Sequence, residues 1–263
     1  MPKPVRLADL MDFGIEMKKL VLILSLSLLT FSTAFADAQS DVTARLKDQL
    51  AKLIPGQSPS SIKPSVIDGL YEVAYGAQIF YITEDGKYLI QGDILDLKNR
   101  KSVTQQAARK GRAEVIAKIR DEDTIMYKPK GETKHTITVF TDIDCPYCRK
   151  LHEERAAYNK AGIAIRYLLY PRAGVGSPSY DKAVAVWCAK DRAKALTEAK
   201  INNKVDMKTC DNPVKEHLQL GEEVGVSGTP AILLEDGTLI PGYRPAADMA
   251  HLFAQRDAQA KSN

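Results

Sequence analysis

A strand-like run that ends in a turn and two cysteines three residues apart is the feature that most restricts this chain. Lys134-His-Thr-Ile-Thr-Val-Phe140 is rich in β-branched and aromatic residues and reads as a strand. Thr141 to Asp144 is the turn after it, and Cys145 opens a helix that continues through His152 and Arg155. Pro146 suits the first helical position, because the N–H it lacks would have had no intrahelical partner. Cys148 falls one turn along the same face as Cys145, close enough for the two sulfurs to close a small ring. A sulfur at a helix start meets free backbone N–H groups and the positive end of the helix dipole, which favour thiolate over thiol. Arg149, Lys150 and His152 add positive charge nearby, and Asp142 and Asp144 oppose it. Thiolates attack disulfides and thiols do not. Cys145, at the helix tip, is therefore expected to be an exposed nucleophile, and Cys148, inside the first turn, a more buried resolving thiol.

The start of the chain reads as an export signal. Met17-Lys-Lys19 is followed by the apolar run Leu20 to Leu29 and then by the small-x-small site Ala34-Phe-Ala36. That run is too short to span a bilayer and fits a cleaved leader, with translation from Met17 and a mature chain from Asp37. Its short, lysine-led form suits a bacterial exporter and points to the periplasm. All 4 cysteines follow it, and an even count in an exported chain favours disulfides while leaving their pairing open. A zinc site would need a second close ligand pair, whereas Cys188 and Cys210 are widely spaced with only His217 near either; no metal is expected. The net charge of +4 is too mild and too evenly spread to argue for nucleic acid.

Two units and a connector emerge along the chain. Val42, Leu46, Leu50 and Leu53 share one helical face, and Pro55-Gly56 stops that helix. A Ser/Pro-rich loop, Gln57 to Pro64, leads into strands at Leu70–Tyr75, Gln78–Thr83 and Tyr88–Gln91, the last two joined by a turn containing Asp85-Gly86. A helix and sheet of this size cannot build a large core, and a bare sheet edge would supply a partner. Ser102-Val-Thr-Gln105 has a capping-box pattern, and a polar helix runs from it towards Arg120. Its apolar stripe of Val115, Ile116 and Ile119 is thin, and Gly111 sits mid-run at a cost of about 1 kcal/mol. Such a helix is expected to bridge two domains rather than pack inside one. Beyond Tyr127, a buried strand at Ile163–Tyr170, a helix from Ala183 to Ala199 and helical stretches towards Leu220 follow the first strand. A hairpin around Glu235-Asp-Gly237 and a terminal helix from about Ala246 complete an order in which helices cover a mixed sheet. The expected divisions are 1–36 (leader), 37–100, 101–126 (linker helix) and 127–263.

Thr138-Val-Phe-Thr-Asp-Ile-Asp-Cys-Pro-Tyr-Cys148 with Leu151-His-Glu153 resembles the active-site segment of the DsbC family of periplasmic disulfide isomerases. Tyr170-Pro-Arg172, Val186-Trp-Cys-Ala-Lys-Asp191 and Gly225-Val-Ser-Gly-Thr-Pro-Ala231 are similar to further segments of that family. Tyr81-Ile-Thr-Glu-Asp-Gly-Lys87 and Ile90-Gln-Gly92 resemble its dimerisation sheet. The likeness runs through the whole mature chain. It implies an α+β protein: a thioredoxin-like catalytic domain with a helical insertion, joined by a linker helix to a small cystatin-like dimerisation domain. It implies a homodimer paired through Tyr88, Leu89, Ile90, Gln91 and Gly92, and a structural disulfide between Cys188 and Cys210. A cis bond at Thr229–Pro230 would face the active site and bind extended substrate. The implied activity is disulfide isomerisation and reduction on misoxidised exported proteins, with no bound cofactor and a membrane electron donor of the DsbD type. A redox chaperone of the DsbG type and a disulfide-donating oxidase are the alternatives. In one respect the chain departs from the pattern: well-known members carry Gly-Tyr between the cysteines, where this chain has Pro146-Tyr147. That pair tunes thiol acidity and redox poise, and so the direction of exchange.

Overall fold

The computed structural model describes residues 39–262. The expected leader, with its start at Met17 and cleavage before Asp37, lies outside the described residues.

The N-terminal unit is a helix laid on an antiparallel sheet. Helix α1, residues 39–53, packs Leu46 and Leu50 against Tyr71, Val73 and Ile82, with Val42 alongside. The sheet runs in the order β1-β2-β3-β4, with β1 at Ser61–Pro64, β2 at Leu70–Tyr75, β3 at Gln78–Thr83 and β4 at Leu89–Ile90. Three details differ from the sequence reading, the first being that the strand expected at Tyr88–Gln91 shortens to Leu89–Ile90. Leu53 is 69% exposed, because it lies in the last turn of α1, beyond that small core. The Ser/Pro-rich segment is not all loop: Ser61 to Pro64 pairs with Ala74 to Tyr71. Pro64 is tolerated there because β1 is an edge strand, where a missing N–H breaks no ladder.

A two-stranded ribbon, β5 at Leu95–Asp96 and β6 at Lys101–Ser102, leads into α2, Val103–Ile116. Ser102 caps α2 by accepting the Gln105 N–H at 2.9 Å. The two halves of α2 serve different cores. Ala108 packs with Ala74, Ile79 and Tyr81 of the first sheet, and Ile116 packs with Phe140, Leu168 and Val224 of the second unit. Gly111 has a structural reason: a Cβ there would run into the Gly76 carbonyl in the β2–β3 turn. Buried Arg112 donates from Nε to the Gly237 carbonyl at 2.7 Å, which ties α2 to the C-terminal hairpin.

The second unit is a five-stranded sheet in the order β11-β10-β8-β9-β7. Its strands are β7 at Ile125–Tyr127, β8 at His135–Thr141, β9 at Ile163–Leu169, β10 at Ala231–Leu234 and β11 at Leu239–Pro241. Only β8 and β9 run parallel. The three-residue β7 was not predicted, being too short for a periodic signal. Its helices are α3 at Pro146–Glu153, α4 at Arg155–Lys160, α5 at Pro178–Trp187, α6 at Arg192–Asn202, α7 at Val214–Glu223 and α8 at Ala246–Ser262. The helix expected from Ala183 to Ala199 is therefore two: α5 ends at Trp187, and Asp191 caps α6 by accepting the Lys194 N–H at 2.9 Å. The helix opened by Cys145 likewise breaks at Glu154, where α4 begins. No helix among the described residues is long and apolar enough to cross a membrane.

Candidate active site

Strand β8 lies between β9 and β10, and the chain leaves its end through a turn built on one buried carboxylate. Asp142 Oδ1 accepts the Asp144 N–H at 2.8 Å, while Oδ2 accepts both the Arg172 N–H at 3.0 Å and Arg172 Nε at 3.2 Å. The Asp142 carbonyl accepts the Cys145 N–H at 3.3 Å and the Lys200 ammonium at 3.0 Å. Asp144 is paired with Lys182 Nζ at 2.8 Å. Both acids near the cysteines are thus matched by cations, which decides the charge contest that the sequence left open.

Cys145 is the N-cap of α3, with an extended backbone, and Pro146 takes the first helical position. The Cys148 N–H donates to Cys145 Sγ at 3.4 Å, and the two sulfurs are not bonded to one another. The Cys145 thiol also reaches the Thr229 carbonyl at 3.2 Å. The bond between Thr229 and Pro230 is cis, and the buried Thr229 hydroxyl, near both sulfurs, makes no hydrogen bond of regular geometry. Pro146 and Tyr147 stand on the surface, Tyr147 being 62% exposed.

The pair is strongly polarised. A hydrogen bond from the Cys148 thiol holds Cys145 down at about 5 against the opposing effect of burial, helped by the nearby Thr229 hydroxyl, the Cys148 N–H and the Arg172 charge. Burial pushes the Cys148 thiol far up, and its donation to Cys145 adds to the rise. One sulfur is thereby an anion at neutral pH and the other a thiol.

Two expectations are corrected. Cys145 is not exposed: it keeps 2% of its surface and Cys148 keeps 1%. They differ in depth, Cys145 lying shallow beneath Thr229 and Cys148 deep below it. His152 does not add positive charge, because it is fully buried between the Tyr167 hydroxyl and Thr197 Oγ1 and burial brings its pKa down to about 3. Lys150 sits over the Tyr243 ring. The cation that the charge reading missed is Arg172, delivered by the chain after β9. Lys200 was missed as well; its signal was a lysine on the same face of α6 as buried Leu196 and Ala199.

Cys188 and Cys210 form a disulfide that ties the end of α5 to the segment before α7. Of Tyr88 to Gly92, all exposed, only Leu89 and Ile90 pair in the N-terminal sheet, as its edge strand β4, with Tyr88 just before it and Gln91 and Gly92 just after. No group of three or more His, Cys, Asp or Glu that could hold a metal occurs among the described residues. His217 is committed elsewhere, accepting the Leu169 N–H through Nδ1 and bonding the Asp123 carbonyl through Nε2.

The depressed Cys145 has a consequence for stability. The unfolded chain still holds that proton at pH values where the folded protein has lost it, so folding is favoured increasingly as pH rises from about 5 to about 9. Thermal unfolding of the reduced protein against Cys145→Ser should show a difference that is constant below pH 5 and then grows in favour of Cys145 up to pH 9. A flat difference across this window would contradict the polarised pair.

Residues 33–105 match the family described as the disulfide bond isomerase protein N-terminal domain, and residues 120–256 match the thioredoxin-like domain. Thiol:disulfide interchange protein DsbC of Escherichia coli K12 is 41% identical over 223 residues, which cover 84% of this chain and 92% of that protein. The DsbC protein of Dickeya dadantii is 40% identical over 248 residues, covering 94% and 99%. A crystal structure of a disulfide interchange protein from Neisseria gonorrhoeae aligns with 51% of this chain and 96% of its own, at 32% identity and a TM-score of 0.45. With an N-terminal isomerase domain, a thioredoxin-like domain and a polarised dithiol in one polypeptide, the chain belongs to the DsbC family of thiol:disulfide interchange proteins.

Proposed function

We propose that this protein works as a homodimer in the bacterial periplasm, rearranging incorrect disulfides in exported proteins. The observation that carries the reading is the division between a shallow, acidic Cys145 and a deep, weakly acidic Cys148 opposite the main chain of Thr229. Cys145 attacks a substrate disulfide and forms a mixed disulfide, releasing one substrate thiolate. A substrate thiol then attacks the mixed disulfide, which completes isomerisation; alternatively Cys148 attacks it, which completes reduction. Thr229 and Pro230 hold the extended substrate beside the sulfurs, in the manner of an added strand. Residues 37–100 form the dimerisation domain, 101–126 the linker and 127–263 the catalytic domain, and the Cys188–Cys210 bridge is structural.

Reductive turnover needs the pair returned to the dithiol state, and a membrane donor of the DsbD type fits that need. Alkylation trapping in cells tests this direction of flow: the pair should be found mainly reduced. A mainly oxidised pair would overturn the isomerase reading in favour of a disulfide donor. Rescue of a scrambled substrate by Cys145→Ala as effective as that by the wild type would favour the redox chaperone instead.

The dimer reading rests on β4, an edge strand carrying exposed Leu89 and Ile90 beside exposed Tyr88. Soluble proteins normally blunt such edges with charge or proline. Ile90→Lys places like charges close together where two edges pair, and should weaken dimerisation about 100-fold, or about 2.8 kcal/mol. Sedimentation velocity would show a shift to monomer at micromolar concentration, with the alkylation rate of Cys145 unchanged. An unaltered dimer would reject this edge as the interface.

A further inference from the structure

Lys200 is buried without a carboxylate hydrogen-bonded to it. It keeps 1% of its surface, and its ammonium makes one hydrogen bond among the described residues, to the Asp142 carbonyl at 3.0 Å. Burying an ammonium with two unspent donors is unfavourable unless something nearby compensates. The neighbour is the dithiol. The Asp142 main chain holds Lys200 through its carbonyl, while its N–H faces the sulfur of Cys148. Helix α6 is packed on α3, the helix that carries both cysteines.

We propose that Lys200 is the proton acceptor for Cys148 when that thiol resolves the mixed disulfide. The proposal rests on the exchange chemistry of the Cys145–Cys148 pair. In the resolving step the Cys148 S–H passes its proton to the neutral Lys200 amine, and the resulting thiolate attacks Cys145 Sγ. The bond between Cys145 and the substrate sulfur breaks as the Cys145–Cys148 bond forms, and the substrate leaves as a thiolate. The protein dithiol is oxidised and the substrate disulfide reduced. The proton on Lys200 is lost to solvent or to the departing thiolate, so no further reactant is needed.

The surroundings set the timing. Burial brings the Lys200 pKa down to about 8, while negative charge on Cys148, Cys145 and Asp142 pulls it back up and Arg149 pushes it down. Once Cys145 is tied up in a mixed disulfide its charge is gone, and the neutral amine is favoured just when a base is required. The other groups around α6 are otherwise engaged. His152 of α3 is neutral, Arg172 and Lys182 are bound to Asp142 and Asp144, and Tyr127 of β7 donates to the Ala193 carbonyl.

The test loads Cys145 of the full-length mature protein with 5-thio-2-nitrobenzoate and follows its release by Cys148 from pH 5 to pH 10. In the wild type the rate should rise and level off with a midpoint below about 8. In Lys200→Met, where a chain of similar length replaces the amine, release at pH 7 should fall roughly 100-fold. It should then climb with pH without levelling. Lys200→Arg keeps the charge but cannot give up a proton, and should behave like Lys200→Met. Alkylation of Cys145 serves as the fold-sensitive control: its midpoint should stay in place in Lys200→Arg, which keeps the charge, and rise only modestly in Lys200→Met, which loses it. Release by Lys200→Met within about twofold of wild type would overturn the proposal, as would wild-type behaviour in Lys200→Arg. Equal shifts in both the alkylation and the release profiles would overturn it too, because they would mark Lys200 as a support for the whole pair.

Discussion

Replacing Cys145 by serine should abolish catalysed disulfide rearrangement, leaving a scrambled-disulfide substrate to refold at the buffer-only rate. The expectation follows from the division of labour between the sulfurs. A hydroxyl at position 145 forms no mixed disulfide, and Cys148 cannot take over, being the deeper of the two and held in the thiol form by burial. Cys148→Ser should behave differently. The attacking sulfur remains, so substrate is still captured and its own thiols still complete isomerisation, but reduction stops and mixed disulfides accumulate. Refolding yield and gel-resolved mixed disulfide, measured on the same samples, check both halves. Equal loss in the two variants would contradict the asymmetry.

The second large effect concerns stability. Removing the Cys188–Cys210 bridge by a double change to alanine frees a closure between positions separated by 22 residues. The chain-entropy account gives such a loop about 3 kcal/mol, which at about 2–4 °C per kcal/mol lowers the melting temperature by about 6–12 °C. The structure indicates where the loss is felt. Residues 203–213 have no regular secondary structure and are mostly exposed, and the bridge holds that segment to the end of α5. Beyond it, α7 supplies Val214 to the main core and His217 to the main chain of β9. The reaction centre is not touched, so the Cys145 alkylation rate at 25 °C should be unchanged. Calorimetry showing a shift of a degree or less would mean that α7 is held without the bridge.

The legibility of the chain follows the physics of each element. The β8–turn–α3 unit was readable because β-branched periodicity, a proline at the helix start and a cysteine cap all point the same way. The thin apolar stripe of α2 was readable, and the helix packs Ala108 and Ile116 into two different clusters, although the purpose of Gly111 needed the Gly76 carbonyl to be seen against it. Helix boundaries inside the second unit were not readable: α5 and α6 read as one helical stretch in sequence, and it is the cap at Asp191 that divides them. Strands β1 and β7 take their identity from partners distant in the chain, Leu70–Tyr75 and Ile163–Leu169. The two cysteines were legible, but their charge environment was not. His152 looked like a cation until burial made it neutral, and the cations that matter, Arg172 and Lys200, arrive from the end of β9 and from α6. Proximity of that kind is a property of the sheet order rather than of any local pattern.

The central claim is that Cys145 alone captures the substrate. It is tested most directly by incubating Cys148→Ala and Cys145→Ala separately with a scrambled-disulfide protein, quenching in acid and mapping the covalent complexes by mass spectrometry. The account predicts an abundant complex with Cys148→Ala, joined through Cys145, and none with Cys145→Ala. A complex formed by Cys145→Ala through Cys148, or any substrate linked to Cys188 or Cys210, would contradict it.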